Sequence, residues 1–158
     1  MKTKEKIYES DVEITIENQK EWEKKLSCVT KITGYLYVSP NVTLSCDALT
    51  TIGRSLYVSS NLTLPGLTTI GSSLNVYSDV KLNIKCLRKI NYKIFDNIAF
   101  LVESEKTSKG IKIYSGGNIT SIKKNKSSIE KCYVAEKGNC CAHGQTVKQA
   151  ILELNTIE

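Results

Sequence analysis

Val29-Thr-Lys-Ile-Thr-Gly-Tyr-Leu-Tyr-Val38 leads through Ser39-Pro40-Asn41 into Val42-Thr-Leu44, and the same order of residue types returns twice before residue 83. The first copy places apolar residues at Val29, Ile32, Leu36, Val38, Val42 and Leu44. The second uses Leu49, Ile52, Leu56, Val58, Leu62 and Leu64, and the third Leu67, Ile70, Leu74, Val76, Val80 and Leu82. A fourth fits at Leu87, Ile90, Ile94, Asp96, Phe100 and Val102, where Asp96 is the one polar residue among 24 slots. The Ile positions lie 20, 18 and 20 residues apart, and the length changes are expected after the second strand of each copy. A repeat of this length must be weighed before local structure is read.

Each copy holds two triplets that alternate with period two and are rich in Val, Leu, Tyr and Thr, the signature of half-buried strands. Ser39-Pro40-Asn41, Ser59-Ser60-Asn61 and Tyr77-Ser78-Asp79 supply turn chemistry between them. One such unit cannot bury its own apolar face, whereas stacked units share a core. The expected fold is therefore mainly β: a short parallel β-solenoid of about four 18–20-residue coils, with strands of adjacent coils about 4.8 Å apart.

Solenoid ends need covers. At the N-terminal side, Val12-Glu-Ile-Thr-Ile16 reads as a strand and Asn18–Leu26 as a capping helix. Asn18 is the expected N-cap, with Glu21 three residues on, and Trp22 and Leu26 share a face as packing residues. At the other end Ile111–Tyr114 reads as a short strand and 103–110 as a loop. A hairpin pairs Lys131–Ala135 with Cys140–His143 around Gly138, and a helix starts at Thr146 with Gln149 completing a capping box. Val147, Ala150, Ile151 and Leu154 form its apolar face. Residues 1–28, 29–102 and 103–158 thus divide one structural domain into a first cap, a repeat region and a basic segment with a ββα cap.

Composition bounds the chemistry. An apolar fraction of 41% and a charged fraction of 24% in 158 residues suit one ordinary globular domain. No apolar stretch approaches the roughly 20 residues of a membrane span. Met1–Glu13 lacks an apolar core, so no secretory signal is expected and the cytoplasm is the expected location. Net charge is +6, but residues 81–131 alone carry twelve Lys or Arg against four acids, while 29–80 are neutral. Such a segment suits phosphate or an acidic protein face, or simply keeps a repeat protein soluble.

The phrases Val29-Thr-Lys-Ile-Thr-Gly-Tyr-Leu-Tyr-Val38 and Leu67-Thr-Thr-Ile-Gly-Ser-Ser-Leu-Asn-Val76 resemble the leucine-rich, receptor-L-domain-like repeats of small proteins from bacteriophages and their Firmicute hosts. Cys132–Ile151 resembles a C-terminal module of such phage proteins, in which Tyr-Tyr-Ala-His-Gly leads into a helix. Cys140 and Cys141 stand here where that pattern has aromatics. The resemblance implies an inhibitor of a bacterial defence complex of CRISPR type, in the host bacterial cytoplasm, with an immune effector protein or ribonucleoprotein as partner.

Three residue sets carry candidate chemistry. Cys132, Cys140, Cys141 and His143 are soft or borderline ligands suited to tetrahedral zinc. Their spacing departs from a finger because the following helix offers no Cys or His, so buried free thiols, or a disulfide from Cys132 to Cys140 or Cys141, are weighed beside it; no metal or cofactor is expected. His143 is the only histidine and no orienting Asp is identifiable, which speaks against nucleophilic catalysis. The outward residues of the first strands are Tyr37, Tyr57, Asn75 and Phe95, and those of the second Thr43, Thr63, Lys81 and Leu101. The tyrosines suit an interface or stabilise neighbouring strands. Lys123, Lys124 and Lys126 form the densest basic run. The expected function is non-enzymatic partner binding through Tyr37, Tyr57, Asn75, Phe95 and these lysines; the alternative is a nucleic-acid-binding module that uses the basic 81–131 region for RNA or DNA.

Overall fold

Each of the first three repeats folds into three short strands, one more than the period-two triplets predict. The extra strand is the Lys-Ile or Thr-Ile pair that opens each copy. The computed structural model describes residues 5–77 and 79–157; Ser78 of the third turn and Met1–Lys4 of the leader reading lie outside the described residues. The chain is mainly β, with a mostly parallel sheet and a C-terminal helix.

The repeats stack as three ladders. The first joins β1 (Ile7–Tyr8), β3 (Lys31–Ile32), β6 (Thr51–Ile52) and β9 (Thr69–Ile70), all parallel, with Ile32, Ile52 and Ile70 in register. The second joins β2 (Val12–Ile14), β4 (Leu36–Val38), β7 (Leu56–Val58) and β10 (Leu74–Val76), with Leu36, Leu56 and Leu74 in register. The third joins β5 (Leu44–Ser45), β8 (Leu62–Leu64) and β11 (Leu82–Ile84). Aliphatic residues of all three point into one core, and each fully buried Leu or Ile there contributes about 1.5–3 kcal/mol.

The third ladder corrects the sequence register. Leu44 pairs with Leu62, and Leu62 with Leu82, so the expected alignment of Leu44 with Leu64 is displaced by two residues. The length change falls in the turn between first and second strands, where Asn41 takes a left-handed conformation (φ 64°). A shift of two preserves which side chains face the core, so the apolar pattern could not reveal it. Ser60 fills the resulting gap in the column. It is buried, its hydroxyl donates to the Ser39 carbonyl at 2.6 Å, and its oxygen accepts the Val42 N–H at 3.1 Å.

The helix α1 (Gln19–Leu26) covers the first end. Asn18 does not cap it by side chain: its Oδ1 accepts the Thr15 N–H and its Nδ2 donates to the Glu13 carbonyl, so it serves the preceding turn. Trp22 packs edge-on against Tyr8 at 5.3 Å and against the core, as the packing reading expects. Gln19 closes the outer edge of the third ladder beside β5, its amide donating to the Thr43 carbonyl and accepting the Thr43 N–H.

The fourth copy is not a coil. After a 3-10 turn at Lys85–Leu87, β12 (Tyr92–Phe95) turns back on β13 (Ile98–Ser108) as an antiparallel hairpin. Asp96 and Asn97 both take positive φ (50° and 66°), the two-residue turn that matches strand twist and sends the chain backwards. Asp96 therefore stands exposed in a turn, and Phe100 and Val102 enter a separate cluster with Phe95, Tyr114, Cys132 and Val134. Residues 103–110 are likewise no loop: β13 runs to Ser108, and Lys109-Gly110 makes a second turn of this kind into β14 (Ile111–Lys123). Lys124-Asn125 makes a third, into β15 (Lys126–Lys137). The expected hairpin onto β16 (Cys140–Gly144) is present, with Gly138 at φ 60°. The helix α2 (Val147–Ile157) follows, and half of its expected capping box forms: Thr146 Oγ1 accepts the Gln149 N–H, whereas Gln149 Oε1 accepts the N–H of Gln145, one residue before the cap. α2 packs on β15 and β16 through Ala150 and Leu154, so it is not the cover of the repeat. β13 pairs with β10, and β14 with β9.

Candidate functional site

The second ladder turns its alternate residues away from the core, and its register lines up Glu13, Tyr37, Tyr57 and Asn75 in one column. Tyr35 and Tyr77 join from the flanking turns. Tyr57 is the hub: its ring lies 5.8 Å from Tyr35, 6.2 Å from Tyr37 and 6.3 Å from Tyr77, edge-on, tilted and stacked respectively. Tyr77 is 46% exposed and the others half-buried. Asn75 ends the column, its Oδ1 accepting from Ser73. Four tyrosines joined through Tyr57 give an amphipathic surface whose ordering on contact requires little side-chain entropy.

Phe95 does not belong to this surface. It is 4% exposed, with Phe100 at 5.6 Å and Tyr114 at 5.1 Å, because the hairpin reverses its strand. The second expected column also dissolves: Thr63 is flanked by Ser45 and Asn83, and Leu101 pairs with Tyr92 and packs on the core. Tyr35 and Tyr77 escaped the sequence reading because they lie just outside the triplets.

The basic run sits at the β14–β15 turn, where Lys123 and Lys126 face each other across the ladder. The Lys124 N–H donates to Thr69 Oγ1 and the Asn125 N–H to the Thr68 carbonyl, docking the turn on β9. Lys85, Arg88 and Lys89 meet Asn125 of this turn around a cavity of about 290 Å³. Two cationic segments separated in sequence thus converge at one end of the repeat stack. Repeat spacing gives no sign of it.

The soft-ligand set does not converge. Cys140 packs with the alanines under α2, whereas Cys132 and Cys141 pack in the aromatic cluster on the other face of the sheet. All six cysteines are free thiols. Asp96 instead supplies the orienting carboxylate that the sequence reading did not find. Its Oδ2 lies 3.2 Å from His143 Nδ1 and its Oδ1 3.9 Å from Cys141 Sγ, contacts that place the imidazole proton on Nδ1. His143 Nε2 and Asn118 Oδ1 are buried without hydrogen-bond partners, and both residues line a cavity of about 190 Å³ with Glu130, Cys132 and Gln149, which suits bridging water. Burial pushes the Cys132 thiol up, and burial followed by Asp96 does so for Cys141. Both sulfurs are held in the neutral form, opposite to an activated nucleophile. The repeat's single polar misfit was the available signal for Asp96.

Comparison with known protein families, curated proteins and solved structures finds no match to this chain. No helix among the described residues is long and apolar enough to cross a membrane.

Proposed function

We propose that this chain is a non-enzymatic binding scaffold, its ladders the coils of a short open β-solenoid that holds a tyrosine platform against a protein partner. The observation that carries the reading is the contact of Tyr35, Tyr37 and Tyr77 with Tyr57 on the outward face of one ladder. Aromatic side chains of this kind are enriched at interface centres. The raised Cys132 and Cys141 thiols favour binding over nucleophilic catalysis. The resemblance of the repeats to phage proteins makes a bacterial immune effector, protein or ribonucleoprotein, the favoured partner. Inhibition then proceeds by occlusion in the host bacterial cytoplasm.

The test is capture from a bacterial lysate, identification of the captured protein, and rebinding of that protein in purified form. Tyr57→Ala should lower the rebinding by about tenfold or more, the loss typical of a central anchor, with the far-ultraviolet circular dichroism unchanged at the assay temperature. Undiminished rebinding removes the platform reading. The convergence of Lys85, Arg88 and Lys89 on the Lys123–Lys126 turn favours a second reading, direct RNA or DNA contact. Steep loss of oligonucleotide affinity with salt, abolished by Lys124→Glu, selects it.

A further inference from the structure

The three ladders are not finished alike. The outer edge of the second is paired by β13 through Ile98, and that of the first by β14 through Ile122. At the other end of the third ladder, Gln19 occupies the backbone of Thr43. Of the three strands that end the ladders on this side, β9, β10 and β11, only β11 has no strand or side chain on its outer edge among the described residues. The Lys81 carbonyl accepts from Leu62 N–H and so faces β8. Backbone alternation in a parallel strand then turns the N–H and C=O groups of Leu82 and Ile84 outward.

The core beneath this edge is incomplete. Leu44 and Leu62 are buried, whereas Leu82, in register with them, is half-buried, as is Val80. Both line an open groove of about 800 Å³ with Val76, Tyr77, Tyr92 and Ile94. Asp79, Lys93 and Asp96 also line it. On β11 and beside it, Lys81, Asn83 and Lys85 are exposed on the side away from the core.

We propose that the β11 edge takes an extended segment of a partner protein as a fourth rung, with apolar residues continuing the Leu82–Ile84 column and acidic residues between them. Strand addition of this kind draws affinity from backbone bonds and selectivity from alternate side chains. The acidic positions lie across from Lys81 and Lys85, as opposite charges pair across strands. A second copy of this chain is a poor occupant. Two β11 edges meeting antiparallel about Asn83 set Lys81 against Lys85 of the other copy twice, and edge lysines block such self-pairing. The fourth-repeat residues that would complete the ladder are committed to the β12–β13 hairpin.

This surface adjoins the tyrosine platform at Tyr77, which lines the groove and stacks on Tyr57, and it goes beyond the function proposed above. The probe is a labelled eight-residue peptide that alternates valine and glutamate, added to the intact protein. Expected results are saturable binding, about tenfold weaker for the valine–lysine analogue, and slowed amide exchange at Leu82 and Ile84. N-methylation of alternate peptide amides on the edge-facing side should abolish binding without touching the protein. Lys81→Glu with Lys85→Glu should reverse the charge preference, and Tyr37→Ala, on the platform but away from the groove, should leave peptide binding unchanged, so that either reading can fail alone. Equal binding of the N-methylated peptide, or exchange protection elsewhere than β11, overturns the proposal. So does concentration-dependent dimerisation that itself protects Leu82 and Ile84.

Discussion

Leu62 and Leu82 occupy one column of one ladder, yet alanine at the two positions should have different consequences. Leu62 is 1% exposed and lies between Leu44 and Leu82. Its truncation loses the transfer energy of the removed atoms and leaves a cavity closed on both sides, about 3–4 kcal/mol by analogy with buried leucines. Leu82 has a neighbour on one side only and opens on the groove, so its truncation leaves no closed cavity and removes about 1–2 kcal/mol. For a chain of this size, 1 kcal/mol moves the midpoint by about 2–4 °C. Leu62→Ala should therefore melt roughly 6–16 °C below the parent, and Leu82→Ala roughly 2–8 °C below it. Urea unfolding followed by far-ultraviolet circular dichroism gives both differences, provided the slope m is unchanged. Equal losses at the two positions would refute the open end of the third ladder. A loss below about 1 kcal/mol at Leu62 would refute the shared core.

Ser60→Ala should destabilise by about 1–3 kcal/mol in the same urea assay, since it leaves the Val42 N–H and Ser39 carbonyl without their buried partner. Gly71→Ala should destabilise, although alanine ordinarily gains about 0.5–1 kcal/mol over glycine in a strand, because a Cβ there meets the Gly53 carbonyl oxygen of the neighbouring repeat; an unchanged midpoint would show that the repeats are not in close contact there. Cys28, exposed and lowered by Lys6, whose Nζ lies 3.1 Å from its sulfur, should be the first thiol alkylated in the native protein. Peptide mapping should show this, and Lys6→Ala should slow it. Burial pushes Cys46 and Cys86 from about 9 up to about 11. The folded state then keeps protons that the unfolded chain gives up, so their contribution is intact below about pH 9 and lost as pH rises through 11. Melting temperature should fall across that window, less steeply in the Cys46→Ala, Cys86→Ala double variant.

The repeat core was legible because nearly every inward slot of the first three copies is aliphatic and recurs at fixed parity, which strand geometry converts directly into burial. The two-residue displacement of Leu62 was not, since parity is unaltered by an even shift and the turn at Asn41 absorbs the length. Antiparallel hairpins replaced the fourth coil and the 103–110 loop for one physical reason. Asp96-Asn97, Lys109-Gly110 and Lys124-Asn125 each put two consecutive residues at positive φ, and that turn chemistry outweighs a weak apolar repeat. Tyr37 and Tyr57 were placed by alternation alone. Phe95 was misplaced with the hairpin, and the Asp96–His143 contact joins elements 47 residues apart, which no local pattern encodes.

The interruption of the repeat at Asp96 links the observations at this end of the molecule. A fourth coil would have buried Leu82 and Val80 and carried Asp96 inward, an unpaired carboxylate in an aliphatic column, which is among the costliest arrangements in a core. Turning back at Asp96-Asn97 places that carboxylate in solvent, where it reaches His143 and ties the hairpin to β16. The same reversal supplies the Asn97 carbonyl that accepts the Val76 N–H at the end of β10. The second ladder is thereby closed by residues that are no longer free to close the third. The reversal at Asp96-Asn97, held by the β12–β13 pairing, therefore accounts for both the satisfied edge at β10 and the open one at β11. Asp96→Leu separates these effects: it should weaken the His143 tie and lower stability, yet leave β11 open, because Asn97 and the β12–β13 pairing still direct the chain backwards. Faster exchange in β16 with unaltered exchange at Leu82 and Ile84 is the expected pattern; slowed exchange at Leu82 would mean that Asp96 alone prevents a fourth coil.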